Sequence, residues 1–380
     1  MLRSDFIRSW RKDLALSLRD VADKTQISEV TLEQIELGSH DPTVDELEAI
    51  SRALGLRAEY LYDADVKPGA AGDVLRVLFK SAEALSPPPY TRLEMLDAAR
   101  AALDLLELHE RLTVPRPALP KLNLPKVPGE PLHKLGRRQA KEVRSLLALG
   151  KKPVESLRDL ITLHLRIPLI AARLGQSGPD AFTVFAPGGR VAIVLNVDGK
   201  HENLLVRRFT LAHELGHAIS DKPAQGGSGF ACLIDSQQQI DVETRANAFA
   251  IHMLLSGDVE KLGDKLLLPV SFRDVMETWG IHYRALYLYV KNLLGLTDEV
   301  MAKRVPNVDP TAPLHVRNRE ELEAERSPLK VVPLSRRGEL ARLVLQAHAK
   351  GQLSTGRARE LLRVDATADL LAMTRSVGLG

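Results

Sequence analysis

Residues 207–219 read Arg207-Arg208-Phe209-Thr210-Leu211-Ala212-His213-Glu214-Leu215-Gly216-His217-Ala218-Ile219. Within this run, HELGH sets His213 and His217 four residues apart. On a helix that spacing puts both imidazoles on one face, where they can chelate a single ion. Glu214 follows the first histidine and points beside that ion, where a carboxylate can hold an attacking water. Two histidines and a glutamate on a helix also describe an ordinary solvated face. The neighbours decide between the two: Phe209, Leu211, Ala212, Leu215, Ala218 and Ile219 surround the three polar residues, so the helix is buried on most sides. Buried imidazoles and a buried carboxylate need partners, and a metal ion supplies them.

A catalytic zinc takes three protein ligands and keeps one position open. Downstream, Asp241-Val242-Glu243-Thr244-Arg245-Ala246-Asn247-Ala248-Phe249-Ala250 predicts a second helix, with an apolar stripe at Ala246, Phe249, Ala250, Met253 and Leu254. Glu243 and Asn247 stack on one face of it. Glu243 is the expected third ligand, and Asn247 is expected to accept a hydrogen bond from the far nitrogen of a ligating histidine, fixing its tautomer. Asp241, Asp235 and His252 are rival ligands near the same segment, none with so well placed a helical partner. Two imidazoles and a carboxylate suit one Zn2+ per chain better than manganese. The donor for a developing oxyanion is sought among Tyr283, His252 and His201, with His282 and Arg245 as further candidates.

RRFTLAHELGHAIS followed by ETRANAFAIHMLL makes residues 155–300 resemble the ImmA/IrrE family of metallopeptidases. The resemblance implies zinc on His213, His217 and Glu243, Glu214 as catalytic base, and a zincin-like α+β domain that is mainly helical with a small sheet. It also implies cleavage of a regulatory protein, such as a repressor or an antitoxin, to switch a stress, phage or mobile-element response. VAIVLN (Val191–Asn196) looks like the strand beside the cleft in such enzymes, and is expected to bind an extended substrate by edge pairing. The family usually ends its second helix with a Leu-Leu-Met-Pro-like sequence. Met253-Leu254-Leu255-Ser256-Gly257 stands here instead, a departure that touches the following loop and not the ligands.

The N-terminal residues are a chain of short amphipathic helices. Asp5–Leu16 is the first. Ser17 caps Leu18–Thr25, Ser28 caps Glu29–Leu37 before Gly38, Pro42-Thr43 opens a helix bearing Leu47, Ile50 and Leu54, and a fifth runs through Ala58–Leu61. Two short helices joined by a three- or four-residue turn have the form of a helix-turn-helix. SLRDVADKTQISEVTLEQIELGSHDPTVDELEAISRALGL resembles the Cro-like (XRE) family across nearly all of residues 5–65. That resemblance implies that Glu29–Leu37 enters the DNA major groove, with Ser28, Thr31, Glu33 and Gln34 as its readers. The departure from the family is electrostatic. Glu29 and Glu33 stand on that helix, in a segment (1–65) with 8 basic and 14 acidic residues, a net of −6. Phosphate attraction supplies most non-specific DNA affinity, so an acidic reader starts at a disadvantage. A protein-interaction or dimerisation role is the other reading of the same helix.

The whole chain has 380 residues, 44% hydrophobic and 27% charged, with a net charge of +3. Such a balance is that of a globular protein of two or three domains. No apolar run approaches 18 residues, the N-terminus lacks a secretory core, and Cys232 is the one cysteine, so a cytoplasmic setting with no membrane contact is expected. Six prolines crowd residues 115–131 and read as an extended spacer. The expected organisation is a helix-turn-helix domain (1–65), a helical connector (66–112), a Pro-rich linker (113–133), a peptidase-like domain (134–304), a polar linker (305–328) and a helical unit (329–380). The connector's apolar positions, Leu93, Leu96, Ala99, Leu103 and Leu106, predict packing on a neighbouring domain or a twin subunit. The terminal unit, with 9 basic and 4 acidic residues, suits phosphates or docking onto the peptidase domain. The expected partners are a protein substrate and DNA. The rival to an enzyme is a DNA-binding regulator whose metal site senses zinc or supports the fold.

Overall fold

The computed structural model describes residues 2–62, 88–112, 122, 124, 127–186, 188–221, 229–231, 236–305 and 319–379. It is mostly helical, with one small mixed sheet and an N-terminal helical domain. Cys232, Asp235 and much of the two proline-bearing linkers lie outside these residues.

The N-terminal domain follows its local signals closely. Helices α1 (Ser4–Asp13), α2 (Leu18–Thr25), α3 (Glu29–Glu36), α4 (Val44–Ala53) and α5 (Glu59–Tyr62) succeed one another. Ser17 and Thr43 each form a reciprocal capping box, with Asp20 and Glu46, and the Ser28 hydroxyl accepts from the Thr31 amide at 3.0 Å. Trp10, Leu14, Ile35, Ile50 and Leu54 form the core, and the Trp10 indole donates to the Leu54 carbonyl at 3.0 Å. Charge is also used inside. Arg11 grips Glu36 with two bonds of 2.6 and 2.8 Å, so one of the domain's acidic groups is internal.

Four strands, β1 (Leu169–Ala172), β2 (Ala181–Ala186), β3 (Arg190–Asn196) and β4 (Gly229–Ala231), form a sheet ordered β1-β3-β2-β4. β3 runs parallel to β1, with Leu169 opposite Ile193, and antiparallel to β2, with Ala181 opposite Leu195. The strand expected to pair with substrate is therefore interior. From Ile193 onward it is flanked by β1 on one side and β2 on the other, and free sheet edges are left to the terminal strands β1 and β4. Its unbroken apolar run fits burial on both faces, and its pairing with β1 and β2 is what makes it interior.

The two faces belong to two different cores. Ile170, Phe182, Val184 and Val194 join a cluster with α6 (Pro89–Arg111), the N-terminal domain and the terminal helices. Ala181, Phe185, Ile193 and Leu195 join a second cluster with α9 (Leu204–Ser220) and α10 (Ser236–Leu254). Preceding these are α7 (Leu132–Leu146) and the three-residue α8 (Leu157–Asp159). Close helix approach on this second side rests on glycines. A Cβ at Gly136 of α7 would lie 2.2 Å from the Arg245 carbonyl, and one at Gly216 would lie 2.9 Å from the Phe249 ring.

Later elements are α11 (Gly257–Glu260), α12 (Pro269–Trp279), α13 (Tyr283–Leu294), α14 (Asp298–Arg304), α15 (Glu323–Arg326), α16 (Glu339–Ala349), α17 (Thr355–Leu362) and α18 (Leu370–Ser376). Trp279, Tyr287 and Tyr289 are buried among them. Just before α15, Glu320 is fully buried, accepts from the amides of Leu157 and Arg158 at 2.8 and 3.0 Å, and is ion-paired to Arg208. α16 packs on α6 and carries part of the first core. No helix among the described residues is long and apolar enough to cross a membrane.

Candidate metal centre

α9 begins at Asn203, whose side chain caps the Leu205 amide, and it is locked in place by its own arginines. Arg207 binds Glu325 at 2.6 Å, and Arg208 donates to the carbonyls of Gly280 and Val154 as well as to Glu320. These ties fix the rotation of the helix, and with it the face that carries His213, Glu214 and His217. α10 crosses this face and brings Glu243 and Asn247 to it.

The ligand atoms of His213, His217 and Glu243 all lie within 4.8 Å of one another. His213 Nε2 is 3.0 Å from His217 Nε2 and 3.0 Å from Glu243 Oε2, and His217 Nε2 is 3.5 Å from Glu243 Oε1. The far nitrogens set the tautomers. His213 Nδ1 donates to Asn247 Oδ1 at 3.1 Å, and His217 Nδ1 donates to Asp221 Oδ2 at 2.6 Å. In the neutral rings both Nε2 atoms then carry lone pairs. Those atoms face each other and a carboxylate, a set that a cation, or a proton shared with Glu243, can hold together. A tetrahedron with arms of about 2.0–2.1 Å has edges of about 3.3 Å, close to the separations observed. The donor set therefore fits a divalent ion of that size.

His213 titrates above the ordinary histidine range. Burial disfavours its imidazolium, but the hydrogen bond to Glu243 and the negative charge of Glu214 and Glu243 outweigh it.

Three supporting groups were not anticipated from the sequence. Asp221 orients His217 and is held by Arg245 through two bonds of 2.7 Å. Arg245, 5% exposed, also donates to Gln139 at 3.1 Å. Thr183 on β2 donates its hydroxyl to Glu214 Oε2 at 2.7 Å, which orients a carboxylate only 1% exposed. Asp221 had a readable signal, since it stands four residues after His217 as His217 stands four after His213. Thr183 comes from a strand 31 residues upstream and has none.

Other candidates go elsewhere. Asp241 is exposed on α10. Tyr283 gives its hydroxyl to the Val305 carbonyl at 3.3 Å, His201 is buried and bonded to Thr210 at 3.1 Å, and Arg245 is committed to Asp221. His282 caps α13, and burial with Lys200 and His201 nearby brings its pKa down to about 4. His252 packs edge-on to Tyr289, and burial with Arg137 and Lys141 brings it down to about 3. Both rings are thus neutral near pH 7 and hold no positive charge for an oxyanion. His252 instead lines a cavity of about 860 Å³, shared with Phe209, Thr244, Asn247, Ile251 and Leu288. Asn247 is common to this cavity and to the histidine centre.

On the N-terminal domain, Ser28, Glu33 and Gln34 are exposed and Thr31 is half-buried. Ser28 and Thr31 bond to each other at 2.7 Å, and between these polar groups Val30 and Leu37 are 64% and 62% exposed.

Residues 7–61 match the helix-turn-helix family, so the N-terminal domain is a helix-turn-helix of the Cro-like type. A stretch of 57 residues, 15% of this chain, is 40% identical to two uncharacterized HTH-type transcriptional regulators of Mycobacterium tuberculosis, from strains CDC 1551 and H37Rv. The match spans 41% of each of those relatives. No solved structure matches the chain.

Proposed function

We propose that the chain is a zinc-dependent endopeptidase joined to a helix-turn-helix regulatory domain, acting on a regulatory protein such as a repressor or antitoxin. The observation that carries this reading is the convergence of His213 Nε2, His217 Nε2 and Glu243 within 4.8 Å, beside a buried Glu214. His213, His217 and Glu243 would hold the ion. When bound, zinc supplies Lewis-acid polarisation of a carbonyl and of water.

The chain's own residues do the rest. Glu214, held by the Thr183 hydroxyl, takes a proton on its carboxylate from the attacking water and returns it to the leaving amine. Asn247 and Asp221 keep the histidine Nδ1 protons in place, and the Asp221–Arg245 pair keeps the second of these supports rigid. The apolar cavity beyond Asn247 takes a side chain of the substrate.

The test is cleavage of a peptide library by the zinc-loaded chain and by Glu214→Gln. The expected result is a loss of about 10²–10⁴ in rate for the variant with its zinc retained. Equal cleavage by both would overturn the assignment.

A second reading has its own support in the helix-turn-helix match: a DNA-binding regulator whose metal centre reports zinc. Gel shifts as a function of salt discriminate the two. Sequence-specific binding persisting above ~100 mM salt supports the regulator, since purely electrostatic binding weakens steeply with salt and does not discriminate sequence.

A further inference from the structure

The cavity that shares Asn247 with the histidine centre has a charged wall that the proposed reaction leaves unused. Its apolar lining comes from Phe209 of α9, Ala248 and Ile251 of α10, and Ala285, Leu288 and Leu293 of α13. A further wall is α7, and α7 is strongly basic: Leu132–Leu146 carries five Lys or Arg residues and one Glu.

Three of those cations are already engaged. Arg144 is buried and donates to the Met253 carbonyl at 2.6 Å, Arg138 binds Glu130 through two bonds of 2.8 Å, and Arg137 binds Glu260 at 2.7 Å. Glu260 is the one carboxylate lining the cavity among the described residues, so Arg137 consumes it. Arg284, also in the lining, leans over the Tyr287 ring at 5.5 Å and acts on Asp298. Lys134 and Lys141 remain. Both are exposed, and neither is ion-paired among the described residues. Lys134, Arg137 and Lys141 stand at i, i+3 and i+7 and share one face of α7. Lys134 and Arg137 line the cavity directly. Burial, then the charges of Arg137 and Lys141, lower the pKa of His252, which puts Lys141 near the same lining.

This basic stripe is held in register with the metal ligands. α7 meets α10 at Gly136, where a Cβ would lie 2.2 Å from the Arg245 carbonyl and 3.0 Å from the Ala248 Cβ. The α7 backbone therefore rests on the turn of α10 that follows Glu243, with Lys134 and Arg137 flanking the crossing in sequence. From Asn247 the lining continues along α10 to His252. Glu243 to His252 spans about 13 Å of helix, the reach of about four residues of extended chain.

We propose that this cavity selects substrate segments in which a bulky apolar side chain has carboxylates within about four residues of it, the apolar lining taking the first and Lys134 with Lys141 taking the second. As a specificity it rests on the peptidase reading, but the binding it requires is measurable without cleavage. Two free cations beside an apolar surface suit a chain that carries both kinds of group, which a nucleic-acid backbone does not.

The test is fluorescence anisotropy of the full chain as Glu214→Gln, so that bound peptide is not cleaved. The probe is fluorescein-labelled Ala-Asp-Glu-Gly-Leu-Phe-Gly-Glu-Asp-Ala, compared with one analogue bearing Lys at the four acidic positions and another bearing Ala-Ala for Leu-Phe. The first peptide is expected to bind at least about tenfold more tightly than either analogue. Adding Lys134→Glu and Lys141→Glu together, both at exposed positions, should reverse the order of the acidic and lysine peptides, with thermal melting unchanged. Leu288→Asn should weaken the two peptides that keep Leu-Phe. Equal binding of the three peptides would overturn the proposal. So would an unchanged preference after the double charge reversal, or equal competition by an oligothymidylate of matching charge. The expected preference without cleavage by the zinc-loaded wild type would overturn the peptidase reading and leave this recognition standing. Cleavage of all three peptides at one rate would do the reverse.

Discussion

α3 and α9 each carry the polar residues on which a functional reading depends, and they present them in opposite ways. On α3, Glu33 and Gln34 stand in solvent, and Ser28 and Thr31 bond only to each other and to the local backbone. Water satisfies the exposed groups, so α3 creates no demand for a partner. On α9, His213, Glu214 and His217 are buried, and each is oriented by a residue from beyond its own turn: Asn247, Thr183 and Asp221. Burial makes every lone pair count, because no water can absorb a mismatch. Polar groups held this firmly narrow what can sit among them. Polar groups left in solvent permit many partners.

Asp221→Ala should break the buried side of this contrast most severely. It frees His217 Nδ1 and leaves Arg245 buried beside a missing anion. Metal affinity is expected to fall about 10–100-fold, and stability by up to about 3 kcal/mol. Competition with a chromophoric chelator and urea unfolding of the metal-free chain read the two effects separately. Unchanged affinity would mean that the support around the histidines is incidental.

The next largest effect concerns the arginine-rich junction of α6 with the terminal segment. Burial pushes the Asp97 carboxyl up, but Arg363 and Arg336, with the Ser335 hydroxyl, overcome it and hold its pKa at about 2. A folded-state value below the ordinary one near 4 means that its stabilisation is complete above about pH 4 and is lost as the pH falls through about 2. The contribution is about 2 kcal/mol. Hydrogen exchange of α16 between pH 5 and 2.5 should show protection declining only toward the acid end in wild type, and already reduced at pH 5 in Asp97→Asn. Identical profiles would dismiss Asp97 as an anchor.

The smallest effect belongs to the exposed side. Replacing Glu29 and Glu33 with glutamine should alter stability by no more than about 0.5 kcal/mol, while removing two negative charges should tighten binding to any duplex DNA at low salt. A large destabilisation would show that α3 is less solvated than its exposure implies.

The difference between the helices also explains what could be read from the sequence. α2, α3 and α4 begin beside Ser17, Ser28 and Thr43 because a cap is a bond across three residues, written in adjacent letters. His213, His217, Glu243 and Asn247 were legible because helical periodicity turns spacing into a shared face. Arg336 and Asp104 are 232 residues apart, and Glu320 meets the Leu157 amide across 163, and no local pattern announces such pairs. The burial of β3 on both faces is written in Val191-Ala192-Ile193-Val194-Leu195, which lacks the alternation of a half-exposed strand, whereas its place between β1 and β2 is set by long-range pairing and has no local signal.

The most direct measurement is metal content by elemental analysis of the purified chain after zinc loading and dialysis, for wild type, His213→Ala, Glu243→Ala and Glu214→Ala. One zinc per chain is expected in wild type and in Glu214→Ala, with none in His213→Ala and a reduced content in Glu243→Ala. A wild-type chain that stays metal-free after zinc is supplied, or one whose zinc survives His213→Ala, would contradict the proposed centre.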